Sequence, residues 1–145
     1  MKKLLLVLTI AGTVFLSFAQ TQKTEQAPQP VMKLSETDHD FGEIIETNGM
    51  VSCTFTISNT GNADLLITNV KGTCGCTVPQ WTKEPISPSK DGSVSVTYDP
   101  KNRLGAFNKK ITIFSNAATN PVSVFIKGTV VQDAAVTTQK NIMVK

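Results

Sequence analysis

Val51-Ser52-Cys53-Thr54-Phe55-Thr56-Ile57-Ser58 alternates apolar and hydroxyl side chains without a break. In an extended chain successive side chains point to opposite faces, so Val51, Cys53, Phe55 and Ile57 share one face and the hydroxyls share the other. A helical winding would scatter the two classes around its circumference. The stretch therefore predicts a half-buried strand with Cys53 pointing inward.

The same reading extends outward. Asn59-Thr60-Gly61-Asn62 supplies residues that tolerate positive φ and predicts a turn, after which residues 64–70, rich in Leu and Ile, return as a strand. Ser89-Lys90-Asp91-Gly92 predicts another turn, and residues 93–98 alternate with Val94, Val96 and Tyr98 inward. Residues 107–114 and 122–131 read as the last two strands. Between them and the first hairpin, Pro79, Pro85 and Pro88 forbid a central strand, so residues 80–88 predict a crossing connection. Upstream, residues 31–35 and 41–45 read as one edge strand, broken by Glu36-Thr37-Asp38-His39-Asp40. No segment sustains a helical period and no internal repeat is visible. Roughly seven short strands in about 100 residues, with hairpins and one proline-rich crossing, predict an all-β fold: an immunoglobulin-like antiparallel β-sandwich.

The chain has 145 residues, of which 40% are hydrophobic and 17% charged, enough for one domain with a real core. Lys2 and Lys3, the apolar run from Leu4 to Leu16 and the small-x-small end Ser17-Phe18-Ala19 predict a signal peptide over residues 1–19, cut between Ala19 and Gln20. That run is shorter than the roughly 20 residues a membrane-spanning helix needs, so no span is expected in the mature chain. Gln20 stands where a lipoprotein would carry cysteine. A periplasmic or secreted protein is the expectation. Residues 20–32, polar and broken by prolines, predict a flexible linker to a domain over residues 33–131, and residues 132–145 a polar tail.

Loss of Lys2 and Lys3 leaves 12 basic against 11 acidic side chains, a formal charge of +1 (12 minus 11). Lysines are scattered along the chain, which disfavours nucleic acid or an anionic membrane as partner. His39 is the single histidine. Every nucleophile-base pairing would have to share it, and there is neither a Gly-rich phosphate loop nor a Gly-x-Ser-x-Gly elbow, so no enzyme is expected. Trp81 is the one aromatic side chain placed to serve as a surface contact.

Chemistry enters at Lys71-Gly72-Thr73-Cys74-Gly75-Cys76-Thr77-Val78-Pro79. In an extended strand Cys74 and Cys76 project from one face, and three readings stay open. Cys53 could pair with Cys74 or Cys76 as a structural staple, leaving one thiol over. Cys74 and Cys76 could hold Cu(I), a soft ion satisfied by few ligands, with Cys53 and His39 as further donors; no other cofactor is expected. A kink at Gly75 could let Cys74 and Cys76 pair with each other in a small ring, labile and of little value to stability.

Four motifs in order carry a resemblance to a known family: His39-Asp40-Phe41-Gly42-Glu43-Ile44; Phe55, Asn59, Thr60 and Gly61; Cys74-Gly75-Cys76-Thr77-Val78-Pro79 with Trp81; and Gly105, Phe107 and Lys109. Together they resemble domain of unknown function 1573 (DUF1573), a secreted bacterial Ig-like family, over residues 33–131. The resemblance implies a sandwich akin to the major-sperm-protein-like (MSP) and cilia-associated (ASH) Ig-like domains, in extracytoplasmic proteins of Bacteroidetes-type bacteria. It implies no established activity. The expected role is that of a non-enzymatic module binding an unidentified envelope or extracellular protein, with Cu(I) binding or disulfide exchange at Cys74 and Cys76 as the alternative.

Overall fold

The computed structural model describes residues 27–133. The expected signal peptide, most of the linker and nearly all of the tail lie outside the described residues. Two four-stranded sheets pack face to face. One, sheet A, has the order β1 (Met32–Leu34), β3 (Val51–Asn59), β6 (Asp91–Tyr98), β5 (Thr77–Trp81); the other, sheet B, has the order β2 (Asp38–Ile45), β8 (Val122–Val131), β7 (Gly105–Ser115), β4 (Ile67–Gly72).

The alternating stretch forms β3 and pairs antiparallel with β6 in unbroken register from Val51 opposite Tyr98 to Ser58 opposite Asp91. The period-two pattern sends Cys53, Phe55 and Ile57 from β3, and Val94, Val96 and Tyr98 from β6, into the space between the sheets. Sheet B answers with Val70, Ile111, Ile113, Val124 and Ile126, while Leu65, Ile67 and Ile86 fill the side where the chain crosses. Burying a side chain of this class stabilises by about 1.5–3 kcal/mol, so the facing rows, rather than any single bond, hold the sheets together.

Three features differ from the sequence-based expectation. The described residues form eight strands, because the segment expected as one broken strand is two strands in different sheets. Asp38 and Asp40 do not interrupt β2: it is an edge strand, and both carboxylates lie exposed while His39 and Phe41 turn partly inward. The sandwich is also not purely antiparallel. After residues 35–37 the chain joins the other sheet, where β2 runs parallel to β8 with a bulge between Asp40 and Glu43. Pro79 lies inside β5 rather than ending it. β5 is an edge, and bonds from Asp99 N to Cys76 O and from Thr82 N to Ser93 O set an alternation that turns the nitrogen of Pro79 away from β6.

Asn59 is completely buried, and it is an interior bonding group rather than a turn residue of positive φ. Its Oδ1 accepts from Gly61 N at 3.0 Å and Val31 N at 3.4 Å. Its Nδ2 donates to Ala63 O at 2.7 Å and Ile86 O at 2.8 Å. One amide thus ties together four backbone groups at one end of the sandwich. Asn116 and Asn120 bind backbone nearby, to Leu66 N and Ser115 N, both at 2.8 Å.

Replacing Asn59 by Ala removes this partner from Gly61 N, Val31 N and Ala63 O, all only part-buried, while Ile86 O keeps its bond from Leu65 N. The loss therefore stays near the cost of one or two unpaired groups, at about 1–3 kcal/mol each. Urea unfolding of Asn59→Ala is expected to show a loss of about 2–3 kcal/mol in total, and Asn62→Ala, at an exposed position, a much smaller one. Burial first, and the Glu36 carboxylate second, push the Cys53 thiol up to about 11 from 9.0. The unfolded chain releases this proton near pH 9 while the folded chain still holds it. Stability is therefore unaffected below that pH and falls as pH rises from 9 towards 11. Denaturation across that window is expected to show a shallower fall for Cys53→Ala than for the unmodified chain.

Candidate functional site

The chain passes from sheet B to sheet A between β4 and β5 through Thr73, Cys74, Gly75 and Cys76 alone. Such a short passage demands a tight corner, and the residues on either side make it. Gly72 lies so close to Thr77 that an added Cβ would overlap the Thr77 hydroxyl. Thr73 N donates to Lys110 O at 3.1 Å, and Asp99 N donates to Cys76 O at 3.0 Å, anchoring the corner to both sheets. Within it, the Thr77 hydroxyl donates to Cys74 O at 3.2 Å.

The corner brings the Cα atoms of Cys74 and Cys76 to 5.2 Å, and the two are joined as a disulfide. Cys53 is a free, buried thiol. The expected staple from Cys53 to Cys74 or Cys76 is therefore corrected, and the topology supplies the reason. β6 lies between β3 and β5, so the two strands are about 9.5 Å apart, beyond the roughly 6.8 Å that a disulfide spans between Cα atoms. Cys53 faces Val96 instead.

Nor are Cys53 and His39 gathered around the pair. His39 sits on β2, its Nδ1 3.4 Å from Glu36 Oε1 and its ring edge-on to Phe41 at 4.7 Å. Among the described residues no three His, Cys, Asp or Glu side chains are grouped to hold a metal ion. Trp81 is half-buried against the core; its indole N–H donates to Ile67 O at 3.2 Å and the Lys83 ammonium lies 2.9 Å from its ring centroid. Its role there is to tie β5 to the start of β4, with one face already covered.

Around the disulfide the surface opens into a cleft of about 520 Å³, whose lining includes Cys74, Gly75, Cys76, Arg103, Leu104 and Lys109. Its floor is the stacked pair Tyr98 and Phe107, with ring centroids 4.1 Å apart, one from each sheet. Burial raises the Tyr98 phenol above its ordinary value, which keeps that floor uncharged. Arg103 is held by its own loop, donating to Lys101 O at 2.7 Å and lying 3.8 Å from the Asp99 carboxylate. On the other side of residues 99–103 lies a second cleft of about 710 Å³, bordered by Glu46, Thr47, Gly49, Met50, Asp99, Lys101 and Asn102. A bond of 2.7 Å from Asn102 N to Glu46 Oε1 joins its two walls.

Sequence reasoning singled out Cys74 and Cys76 and met Lys109 only as part of a motif, and it missed Met50, Leu104 and Arg103. A signal was available for two of them. Met50 and Leu104 are large apolar residues in polar loops, outside any strand alternation, and both are exposed. Arg103 and Lys109 are ordinary surface cations until the fold sets them beside the corner.

A comparison with curated proteins finds no match. Among solved structures, a protein of unknown function from Porphyromonas gingivalis is similar, with a TM-score of 0.64 at 18% identity over 75% of this chain and 51% of that one. The chain thus spans about half the length of that relative. The VesB protease of Vibrio cholerae gives a TM-score of 0.52 at 16% identity, covering 70% of this chain and 31% of that one. A family 123 glycoside hydrolase from Clostridium perfringens gives 0.54 at 9%, covering 72% and 27%. At these identities the likeness is one of fold, and it extends over a minor part of both enzymes. The profile of a family described as "protein of unknown function (DUF1573)" matches residues 32–130, the whole of the two sheets but for the last residue of β8, and the chain belongs to that family.

Proposed function

We propose that this chain is a non-enzymatic Ig-like module, working in the bacterial envelope or outside the cell, that binds another protein through the loop end formed by residues 46–50, 73–78 and 99–105. The observation that carries this reading is the distribution of exposed apolar side chains. Of the four large exposed hydrophobics among the described residues, Met50, Val78 and Leu104 collect around that end and Val31 lies at the other. Apolar groups left in water cost free energy that association recovers, and a cluster of them beside two clefts is what an interface requires.

The Asn59 end and two of the four sheet edges serve association less well. The Asn59 end is occupied by its own hydrogen bonds. β2 exposes an edge that is bulged and acidic, and β5 presents Pro79 where an added strand would need a donor. Placement outside the cytoplasm is supported by the leader-like residues 1–19, and no helix among the described residues is long and apolar enough to cross a membrane. A non-enzymatic role is supported by the surroundings of the single histidine, which faces Glu36 and Phe41 rather than a nucleophile.

The test is affinity capture of an endogenous partner from the native compartment, repeated with Met50→Asp combined with Leu104→Asp. Recovery is expected to fall at least about tenfold while the melting temperature stays within a few degrees, since both positions are exposed. Thr54→Lys, on the outer face of β3, is expected to bind normally. Loss of capture with Thr54→Lys and not with the double variant would move the interface to the sheet face.

A further inference from the structure

We infer that the Cys74–Cys76 disulfide is a covalent exchange site for a partner carrying cysteine thiols, seated in the cationic cleft that it borders. This rests on the loop end being the binding surface and names the chemistry that the surface accepts.

Two observations separate this bridge from a structural staple. It encloses a single residue, so the disorder that it removes from the unfolded chain is minimal. The corner is also already fixed by hydrogen bonds from Thr73 N to Lys110 O, from Asp99 N to Cys76 O and from Thr77 to Cys74 O. The fold does not need the sulfur-sulfur bond to make the turn.

Access and charge then favour exchange. Cys74 is partly exposed whereas Cys76 is buried, so an incoming nucleophile meets Cys74 first. Gly75 is exposed, has no positive φ, and a Cβ built there would meet nothing within 4 Å. Backbone geometry therefore does not demand glycine; what its absent side chain does is leave the bridge bare. Arg103 and Lys109 line the cleft, Arg103 with the Asp99 carboxylate 3.8 Å away and Lys109 with no carboxylate among the residues that line the cleft with it. Exchange proceeds through thiolates, and fixed cations favour both the arriving thiolate and the departing one.

The step balances without an outside oxidant. A partner thiolate attacks Cys74 Sγ, the Cys74–Cys76 bond breaks, and Cys76 leaves with the electron pair and takes up a proton. The product is a mixed disulfide between the partner and Cys74. Where the partner carries a second thiol, that sulfur attacks the first, Cys74 leaves as a thiolate and is protonated, and the partner is oxidised by two electrons as the bridge is reduced. Cys53, buried and with its thiol pushed up, stays outside the reaction.

The experiment uses the full mature chain with reduced glutathione as an anionic monothiol probe, followed by acid quench, alkylation and peptide mass mapping. The expected result is one glutathione on Cys74, one alkyl group on Cys76 and an untouched Cys53, at a rate lowered about threefold to tenfold by Arg103→Gln and by Lys109→Gln. Gly75→Val is expected to slow the reaction further without changing the melting temperature. A bridge that stays closed while an unstructured Cys-Gly-Cys peptide disulfide exchanges overturns the proposal, as does an adduct on Cys53 or a rate indifferent to both cation substitutions. Glutathione needs no native partner. An inert bridge together with capture that depends on Met50 and Leu104 leaves the binding reading standing and removes only the exchange.

Discussion

Everything at the loop end depends on one constraint, the passage from sheet B to sheet A in the four residues Thr73 to Cys76. Gly72 and Thr77, the residues on either side of it, lie in contact, so the four residues between them must fold back on themselves rather than stretch across. Gly72 and Thr77 meet without a Cβ between them, and the corner is hydrogen-bonded to β7 on one side and to the end of β6 on the other. The nearness of Cys74 and Cys76 follows from this geometry. The stacking of Tyr98 on Phe107 beneath them closes the core at the same point, so the disulfide rests on a rigid floor.

The sandwich is polarised as a result. At one end asparagine amides, chiefly that of Asn59, satisfy the backbone groups of several turns and leave no demand for an outside partner. At the other end the loops leave apolar side chains and clefts in water, with Arg103 and Lys109 beside the sulfurs. A rigid two-sheet body with one satisfied end and one open end is a scaffold for presenting loops, the arrangement by which sandwiches commonly carry binding sites.

The central strands were legible in the sequence and the edges were not. β3 and β6 are buried on one face and wet on the other, so their period of two is written directly in residues 51–58 and 93–98. β2 and β5 obey weaker demands: an edge tolerates Asp38, Asp40 and Pro79, which read as breaks. The parallel pairing of β2 with β8 depends on which sheet the chain enters after residues 35–37, and no local pattern records that. Asn59 was legible as important but not for its reason, since a turn residue and a buried amide look alike until the neighbouring carbonyls are placed. The cysteines show the same limit. Cys74 and Cys76 announce themselves by spacing, but the exclusion of Cys53 requires knowing that β6 separates β3 from β5.

The open corner depends on the state of the three sulfurs, so the most direct measurement is a disulfide map of the folded chain taken from its own compartment without reduction. Peptide mass mapping after alkylation at acid pH is expected to find Cys74 linked to Cys76, with Cys53 alkylated only once the chain is unfolded. A bond from Cys53 to either of the other two would contradict the strand order of sheet A and, with it, the assignment of the corner as an open, chemically available site.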